Sequence, residues 1–412
     1  MAAAAQGTAA LDLARARERV AAVALRPTTT RRVGLELEQH LVDLAAPARP
    51  VAWDRLLAAV AALPPMPGGS AVSLEPGGQV ELSTPPYDDV AAAVSALRRD
   101  DDALRAGLRG QGLGLASLGA DPARPPRRCN PAPRYAAMER HWAARGCGPE
   151  GARMMCGTAS LQLNLDAGPA AGWADRVALA HLVGPVLVAV SACSPVEDGR
   201  ATGWRSTRQR TWGRLDQARC GPILAGRDPV REWAEYALLA PVMLVRGDGG
   251  AAPVTSGATF ADWLDGDPRC GRPVRADDLD YHLTTLFPPV RLKGFLELRY
   301  LDAAPVRWWP ALAALGALLL DDPCAAGEAA AACAPVAGAW TTAARRGLAD
   351  PGLHRAARTC LAAAVRAAPP ALREDLEDLA ELVEAGRCPG DAVQERVRRD
   401  GPLAVLEEEA RG

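Results

Sequence analysis

Acidic and amide side chains alternate with apolar ones in four separate segments of this 412-residue chain. The segments are Val33–Gln39, Gln79–Ser83, Ser160–Asp166 and Leu296–Tyr300. Because successive side chains of a strand point to opposite faces, each segment predicts a β-strand with one apolar and one polar face. An antiparallel sheet with one face in water gives the same alternation, so a single such strand would indicate little about function.

The four polar faces carry Glu, Gln and Asn, whereas strands that face water usually favour Thr, Lys and Arg. Like charges on adjacent strands repel each other unless cations neutralise them. Hard divalent cations such as Mg²⁺ or Mn²⁺ prefer oxygen ligands, and Mg²⁺ commonly arrives with substrate phosphates. The pattern therefore predicts an antiparallel sheet lined with metal ligands, which are Glu36, Glu38, Glu81 and Glu297. No P-loop or Rossmann glycine motif is present to bind a nucleotide in another way.

The composition excludes several other classes of protein. A net charge of −2 and a pI near 6.3 provide no basic field for nucleic acid or an anionic membrane. Charged residues interrupt the alanine-rich N-terminus before any secretory leader, and the apolar stretch Val177–Val196 predicts a buried helix rather than a membrane span. We therefore expect a cytoplasmic protein whose ten scattered cysteines are free thiols.

Helical and extended segments alternate along the first three quarters of the chain. Glycine and proline at positions 76–78 predict a hairpin between strands at 71–75 and 79–84. After Trp308 the sequence is alanine-rich and helical to its end. We expect an α+β fold in a single catalytic domain over 1–412, with the sheet in roughly 28–305 and a helical part in roughly 306–412. The remaining predicted helices cover 9–25, 51–63, 87–109, 173–193 and 229–239, and the remaining strands cover 112–118, 158–166 and 295–301.

Six sequence blocks resemble the plant-type and proteobacterial glutamate–cysteine ligases, and most closely the actinobacterial branch assigned to ergothioneine synthesis. The blocks are Gly34–Glu38, Ser73–Ser83, Asn130–Tyr135, Met154–Asp166, Arg205–Trp212 and His282–Arg299. The resemblance implies a glutamine-synthetase-like fold, in which a curved, mainly antiparallel sheet forms a funnel with helices outside. It also implies that MgATP phosphorylates glutamate to γ-glutamyl phosphate, which the amine of cysteine then attacks.

The resemblance extends the candidate site. It adds Glu75 and Gln162 to the metal ligands, and it makes Glu36, Glu38, Glu297 and Arg299 the expected catalytic residues. Arg134, beside Tyr135, is the candidate for holding the α-carboxylate of glutamate, because a guanidinium binds a carboxylate through two hydrogen bonds. Lys293, the only lysine of the chain, and Asn164 are expected to contact the nucleotide. A loop that closes over substrate or nucleotide is expected to contain Arg205, Arg208 and Trp212.

Three alternatives remain open at this point. A related carboxylate–amine ligase would form the same glutamyl phosphate and accept a different amine. A glycosidase-like hydrolase would also use paired carboxylates, although sugar clefts are usually rich in aromatic residues and this chain is only 4% aromatic. A scaffold without activity would keep the fold and lose the acidic residues, all of which are present here. The sequence leaves the oligomeric state open.

Overall fold

The four alternating segments form neighbouring strands of one antiparallel sheet. A computed structural model describes residues 11–223, 226–247 and 250–412 of the chain. Within these ranges the strands are β1 (Val33–Asp43), β2 (Ala71–Leu74), β3 (Val80–Ser83), β4 (Leu113–Ala116), β5 (Ser160–Leu165), β6 (Val196–Glu197), β7 (Arg200–Ala201), β8 (Leu244–Gly247), β9 (Gly250–Pro253), β10 (Val290–Leu292) and β11 (Leu296–Asp302).

The α-helices of the described residues surround this sheet. Those before the last strand are α1 (Leu13–Ala24), α2 (Trp53–Ala61), α3 (Val90–Arg109), α4 (Pro133–Ala144), α5 (Gly148–Cys156), α6 (Trp173–Leu182), α7 (Gly184–Ser191), α8 (Thr207–Trp212), α9 (Gln217–Cys220), α10 (Pro229–Leu239), α11 (Phe260–Leu264) and α12 (Ala276–Leu283). Those after it are α13 (Trp309–Asp321), α14 (Pro323–Cys333), α15 (Trp340–Arg346), α16 (Pro351–Ala367), α17 (Pro370–Glu384), α18 (Pro389–Asp400) and α19 (Pro402–Arg411).

The order of strands in the main sheet is β10-β11-β5-β1-β3-β2, and β4 also pairs with β1. β1 is long enough to pair with strands in both parts of the sheet. Its first half pairs with β3 and β5, and its last four residues pair with β4. The remaining strands form two separate hairpins, β6-β7 and β8-β9. The predicted hairpin between β2 and β3 is confirmed, with Leu74 opposite Val80.

The apolar face of the sheet forms the main core together with α3, α7 and α13. Leu35, Leu37 and Leu163 are fully buried there, as the alternation predicts. The helix α13 is apolar on all sides. It packs closely against β5, as shown by the distance of 2.7 Å between a Cβ atom built at Gly316 and a methyl carbon of Leu163. Packing in this core therefore fixes the position of the strands whose other face carries the acidic residues.

The C-terminal helices contribute to this packing rather than forming a separate layer. Leu406 and Ala410 of α19 pack against Val42 of β1 and Ala116 of β4. Helix boundaries in this region fall at prolines: α14 begins at Pro323 and α16 at Pro351. The single-domain organisation stays a prediction that this packing favours.

The helix predicted for residues 9–25 is observed as α1, and residues 9 and 10 lie outside the described residues. The helix predicted for 173–193 is interrupted near Val183, between α6 and α7. In the part of the chain that the structure describes, the stretch Ala170–Ser191 is long and apolar enough to cross a membrane, and 61% of its most apolar window is buried inside the protein. All ten cysteines are free thiols, as expected.

Candidate active site

Strand register brings the predicted acidic residues onto one face of the sheet. Glu38 of β1 lies opposite Glu81 of β3, and Glu36 lies opposite Gln162 of β5. On the other side of β5, Asn164 lies opposite Glu297 of β11. Since these strands are adjacent, the carboxylates from distant parts of the sequence line one surface.

This surface is the floor of a cavity of about 500 Å³. The opposite wall comes from a second apolar cluster, in which Met138, Met154, Met155 and Phe287 contact the cavity. Twelve of the residues proposed from the sequence line the cavity together, which are Glu36, Glu38, Glu75, Glu81, Arg134, Tyr135, Gln162, Arg208, Trp212, Lys293, Glu297 and Arg299.

Four carboxyl groups in this cavity have raised pKa values, namely those of Glu36, Glu38, Glu75 and Glu81. Burial is the main cause for each, and the negative charges of neighbouring carboxylates add to it. The effect is strong at Glu75, where burial, Glu38 and Glu81 raise the pKa to about 8. A cation between these side chains would remove both the repulsion and the raised pKa values.

Hydrogen bonds hold three of these carboxylates from the side. Glu36 accepts from the Asn164 amide at 2.9 Å. Glu38 accepts from the Ser160 backbone N–H at 2.8 Å and from Gln162 Nε2 at 2.9 Å. Glu81 accepts from the hydroxyls of Ser73 and Ser83, at 3.0 and 2.9 Å. These contacts fix the side chains before any ligand arrives, which reduces the cost of binding one.

Glu297 differs from the other acids because cations already surround it. Two nitrogens of Arg291 donate to its carboxylate at 2.5 and 2.8 Å, and Arg299 donates at 3.2 Å. Burial alone would raise its pKa, but Arg291 and Arg299 hold the pKa at about 2. Lys293 lies 3.8 Å away. Glu297 therefore orients these cations, and a metal ion would compete with them for it.

Gln162 is also fully engaged by protein groups. Its Nε2 donates to Glu38, and its Oε1 accepts from Arg299 at 2.6 Å. In this arrangement Gln162 links the acidic cluster to Arg299, and its expected role as a metal ligand stays a prediction. Asn164 donates to Glu36, while its Oδ1 is buried without a hydrogen-bond partner among the described residues. Its contact with the nucleotide stays a prediction.

Arg134 and Tyr135 enter the cavity from the start of α4. The guanidinium of Arg134 lies 4.9 Å from the centre of the Tyr281 ring and donates to the Thr284 carbonyl at 3.0 Å. Burial and the charge of Glu75 raise the pKa of Tyr135. Arg134 is thus a cation held near, but not within, the acidic cluster.

The segment 205–212 is not the loop that was expected. It forms the short helix α8, with the Ser206 hydroxyl accepting from the Gln209 N–H. Arg208 is fully buried, stacks 4.6 Å from the Trp212 ring and donates to the Arg299 carbonyl at 2.6 Å. Its Nε and Nη1 atoms are buried without a hydrogen-bond partner among the described residues, which is costly unless a ligand supplies an acceptor.

Arg205 does not reach the cavity. It forms an ion pair with Asp391 of α18 and thereby fastens the start of α8 to the C-terminal helices. Its expected contact with substrate stays a prediction that this ion pair does not favour. Conversely, the side chain of Arg291 lies in the cavity and was not predicted from the sequence. Arg291 stands two residues before Lys293, in a strand too short to show an alternation.

Comparison with known proteins assigns the chain to a family. The sequence profile of glutamate–cysteine ligase family 2 (GCS2) matches residues 32–410. The chain belongs to this family. The ligase is 54% identical over 385 residues to the glutamate–cysteine ligase EgtA of Mycolicibacterium smegmatis, covering 92% of this chain and 90% of that protein. It is 51% identical over 380 residues to the EgtA of Mycobacterium tuberculosis, covering 91% and 88%.

Two more distant similarities concern the sequence and the fold. The ligase is 30% identical over 281 residues to the chloroplastic glutamate–cysteine ligase of Arabidopsis thaliana, covering 66% of this chain and 53% of that protein. Its fold is similar to the glutamate–cysteine ligase of Francisella tularensis, solved in complex with AMP, with a TM-score of 0.58 at 11% identity, over 94% and 88% of the two chains. The predicted α+β, glutamine-synthetase-like class is confirmed.

Proposed function

We propose that this glutamate–cysteine ligase uses the acidic face of its sheet to bind MgATP and to activate glutamate as γ-glutamyl phosphate. The enzyme joins the γ-carboxylate of glutamate to the amine of cysteine and forms γ-glutamylcysteine. The observation that carries the proposal is the group of four half-buried carboxyls with raised pKa values, which line one cavity together with several arginines. Such a group is unfavourable unless cations complete it.

The residues present suit a hard cation. Their donor atoms are carboxylate oxygens, which Mg²⁺ and Mn²⁺ prefer. Among the described residues, no group of three or more acidic, histidine or cysteine side chains is arranged to hold a metal ion as the side chains stand in this structure. Glu36, Glu38, Glu75 and Glu81 would hold the ion. Bound there, it would neutralise charge on the transferred phosphate.

The side chains of the cavity position the reactants. We assign the α-carboxylate of glutamate to Arg134, with Tyr135 beside it. Arg208 has two unpartnered nitrogens and suits an anionic oxygen of substrate or phosphate. Lys293, at the mouth of the cavity, is 57% exposed and can reach a phosphate of ATP. Phosphoryl transfer needs mainly such positioning and charge neutralisation.

The reaction then proceeds in two displacements. A γ-carboxylate oxygen of glutamate attacks the terminal phosphorus of ATP, and ADP leaves. The cysteine nitrogen next attacks the acyl carbon of γ-glutamyl phosphate. The carbon–oxygen bond breaks, phosphate leaves, and the nitrogen loses its proton. The identity with the EgtA enzymes supports a place for the product in ergothioneine synthesis.

A coupled ADP assay with glutamate, ATP and Mg²⁺, run with and without cysteine, tests this function. We expect ADP release that depends on glutamate and increases with cysteine. Glu36→Ala should abolish ADP release and leave the far-ultraviolet circular dichroism spectrum unchanged. Arg399→Gln, an exposed substitution on α18, is the control and should retain full activity. Normal turnover of Glu36→Ala at ordinary Mg²⁺ would refute the assignment of the acidic face.

A panel of amines in the same assay separates this function from ligation to another acceptor. Cysteine should give the highest kcat/KM of the panel. A clear preference for a different amine would favour the related carboxylate–amine ligase instead, with the same acidic site.

A further inference from the structure

A second, smaller cavity lies beside the acidic one. Its volume is about 190 Å³, and it shares Trp212 and Arg299 with the first cavity. This is below the range of roughly 300–1,000 Å³ that is typical of cavities for drug-sized ligands. A small molecule fits it, whereas a whole nucleotide does not.

Aromatic and cationic side chains form the walls of this second cavity. The aromatic walls are Trp204, Trp212, Tyr300 and Trp340. Trp340 is held against Tyr300, with 5.6 Å between the ring centres, and against Gly184 of α7, where a Cβ atom would overlap its ring. The C-terminal part of the chain thus supplies one rigid wall, through α15.

The second cavity lacks the acidic side chains that the first cavity carries beside its arginines. Arg210, Arg214 and Arg299 line it, and none of the described residues that line it is acidic. Among the described residues, the buried Nε atoms of Arg210 and Arg299 have no hydrogen-bond partner, although another nitrogen of Arg210 donates to Glu197 at 2.7 Å. Arg214 is 56% exposed and forms an ion pair with Glu150 at 3.9 Å. These groups call for an anionic oxygen.

The two substrates with α-carboxylates need separate cationic contacts. The floor of the first cavity repels a carboxylate that is not paired with a metal ion or an arginine. The acceptor must bring its amine to the acyl carbon in the first cavity. Its carboxylate is therefore best neutralised by cations that lie away from the acidic floor of that cavity. A thiol beside the aromatic walls would gain favourable sulfur–aromatic contacts.

We propose that the second cavity binds the carboxylate and thiol of the amine acceptor, and that Arg214 selects an amino acid over a simple amine. This inference rests on the proposed function, since it names where the second substrate of that reaction lies. Trp212 and Arg299, which border both cavities, separate the acceptor from the metal and nucleotide.

Arg214→Gln tests the proposal, with cysteine and cysteamine as acceptors. Cysteamine lacks the carboxylate and keeps the amine and thiol. We expect Arg214→Gln to raise the KM for cysteine by about tenfold, to leave cysteamine kinetics unchanged, and to leave the KM values for glutamate and ATP unchanged. Arg399→Gln is the matched control and should change none of these values. An unchanged KM for cysteine would overturn the proposal, and so would a rise in the KM for ATP alone.

A second variant tests the volume of the cavity. Thr341 is an exposed residue of α15 at its lining, so Thr341→Phe should narrow the cavity without disturbing the core. We expect weaker cysteine binding with unchanged glutamate kinetics, and unchanged cysteine binding would contradict the assignment. Calorimetric titration of cysteine into the wild type and both variants measures this without turnover. Failure of the wild type to release ADP with glutamate would instead refute the proposed function.

Discussion

The acidic residues of the site are all glutamates, but their neighbours differ. Glu297 is surrounded by cations, and its pKa is about 2, whereas Glu75 is surrounded by carboxylates, and its pKa is about 8. The sequence gives both residues the same chemistry. The difference comes only from the register of the strands and the position of Arg291. Glu297 orients cations that are already present, whereas Glu75 needs a cation.

Glu75 makes the stability of the metal-free protein depend on pH. Its folded pKa of about 8 lies above the ordinary value of 4.5, so between these values the folded state holds a proton that the unfolded state releases. The free energy of unfolding therefore falls as pH rises from about 4.5 to 8. Glu75→Gln should raise it by about 1–3 kcal/mol at pH 8.5 and have little effect at pH 4. Urea unfolding in EDTA measures this.

The exposed Glu384, on α17, provides the control for that experiment. Glu384→Gln should leave the midpoints at both pH values almost unchanged. Equal effects of Glu75→Gln at pH 4 and pH 8.5 would show that folding does not raise the pKa of Glu75 in the metal-free protein.

Arg134→Lys tests the contact proposed for the α-carboxylate of glutamate. Lysine keeps the charge and loses the planar pair of donors. We expect the KM for glutamate to rise roughly tenfold, with the KM values for ATP and cysteine unchanged. Steady-state ADP release with each substrate varied in turn provides the measurement. A glutamate KM equal to that of the wild type would remove Arg134 from this role.

At the scale of elements, the close contact between α13 and β5 sets the position of the acidic strands. Gly316→Ala would add a methyl group 2.7 Å from Leu163 in a closely packed core. We expect the clash to outweigh the gain in helix propensity and to lower the free energy of unfolding by about 1–3 kcal/mol.

Gly327→Ala in α14 is the matched control, since nothing lies within 4 Å of its added Cβ atom. This control should stabilise the protein slightly, by up to about 1 kcal/mol. Chemical denaturation of both variants gives the comparison. Equal effects of the two substitutions would mean that α13 does not press on β5.

Period-two alternation explains why the acidic face could be predicted from the sequence. It places Leu35 and Leu37 in the core and Glu36 and Glu38 in the cavity, as observed. The strand β10 has only three residues, too few to show a period, so Arg291 was missed. The helix α4 was not among the predicted helices, although its buried residues at 137, 138, 141 and 142 recur with helical spacing. The position of α8 and the pairing of Arg205 with Asp391 depend on tertiary packing and leave no local pattern.

At the scale of the whole molecule, the C-terminal helices support the site from behind. The Ala344 carbonyl of α15 accepts from the backbone N–H groups of Arg205 and Ser206, just before α8 begins. The same helix carries Trp340, a wall of the second cavity. The position of Arg208 in the active site therefore depends on residues more than a hundred positions away in the sequence.

This dependence predicts that the sheet and the C-terminal helices unfold together. In metal-free urea titrations, tryptophan fluorescence and far-ultraviolet circular dichroism should give one coincident transition. Removing α19 by ending the chain after Gly401 takes away the buried Val405 and Leu406. The transition should then remain single and the free energy of unfolding should fall by about 3–6 kcal/mol. Two separate transitions in either signal would show that the C-terminal part is an independent unit, because five of the ten tryptophans lie in it or line the second cavity.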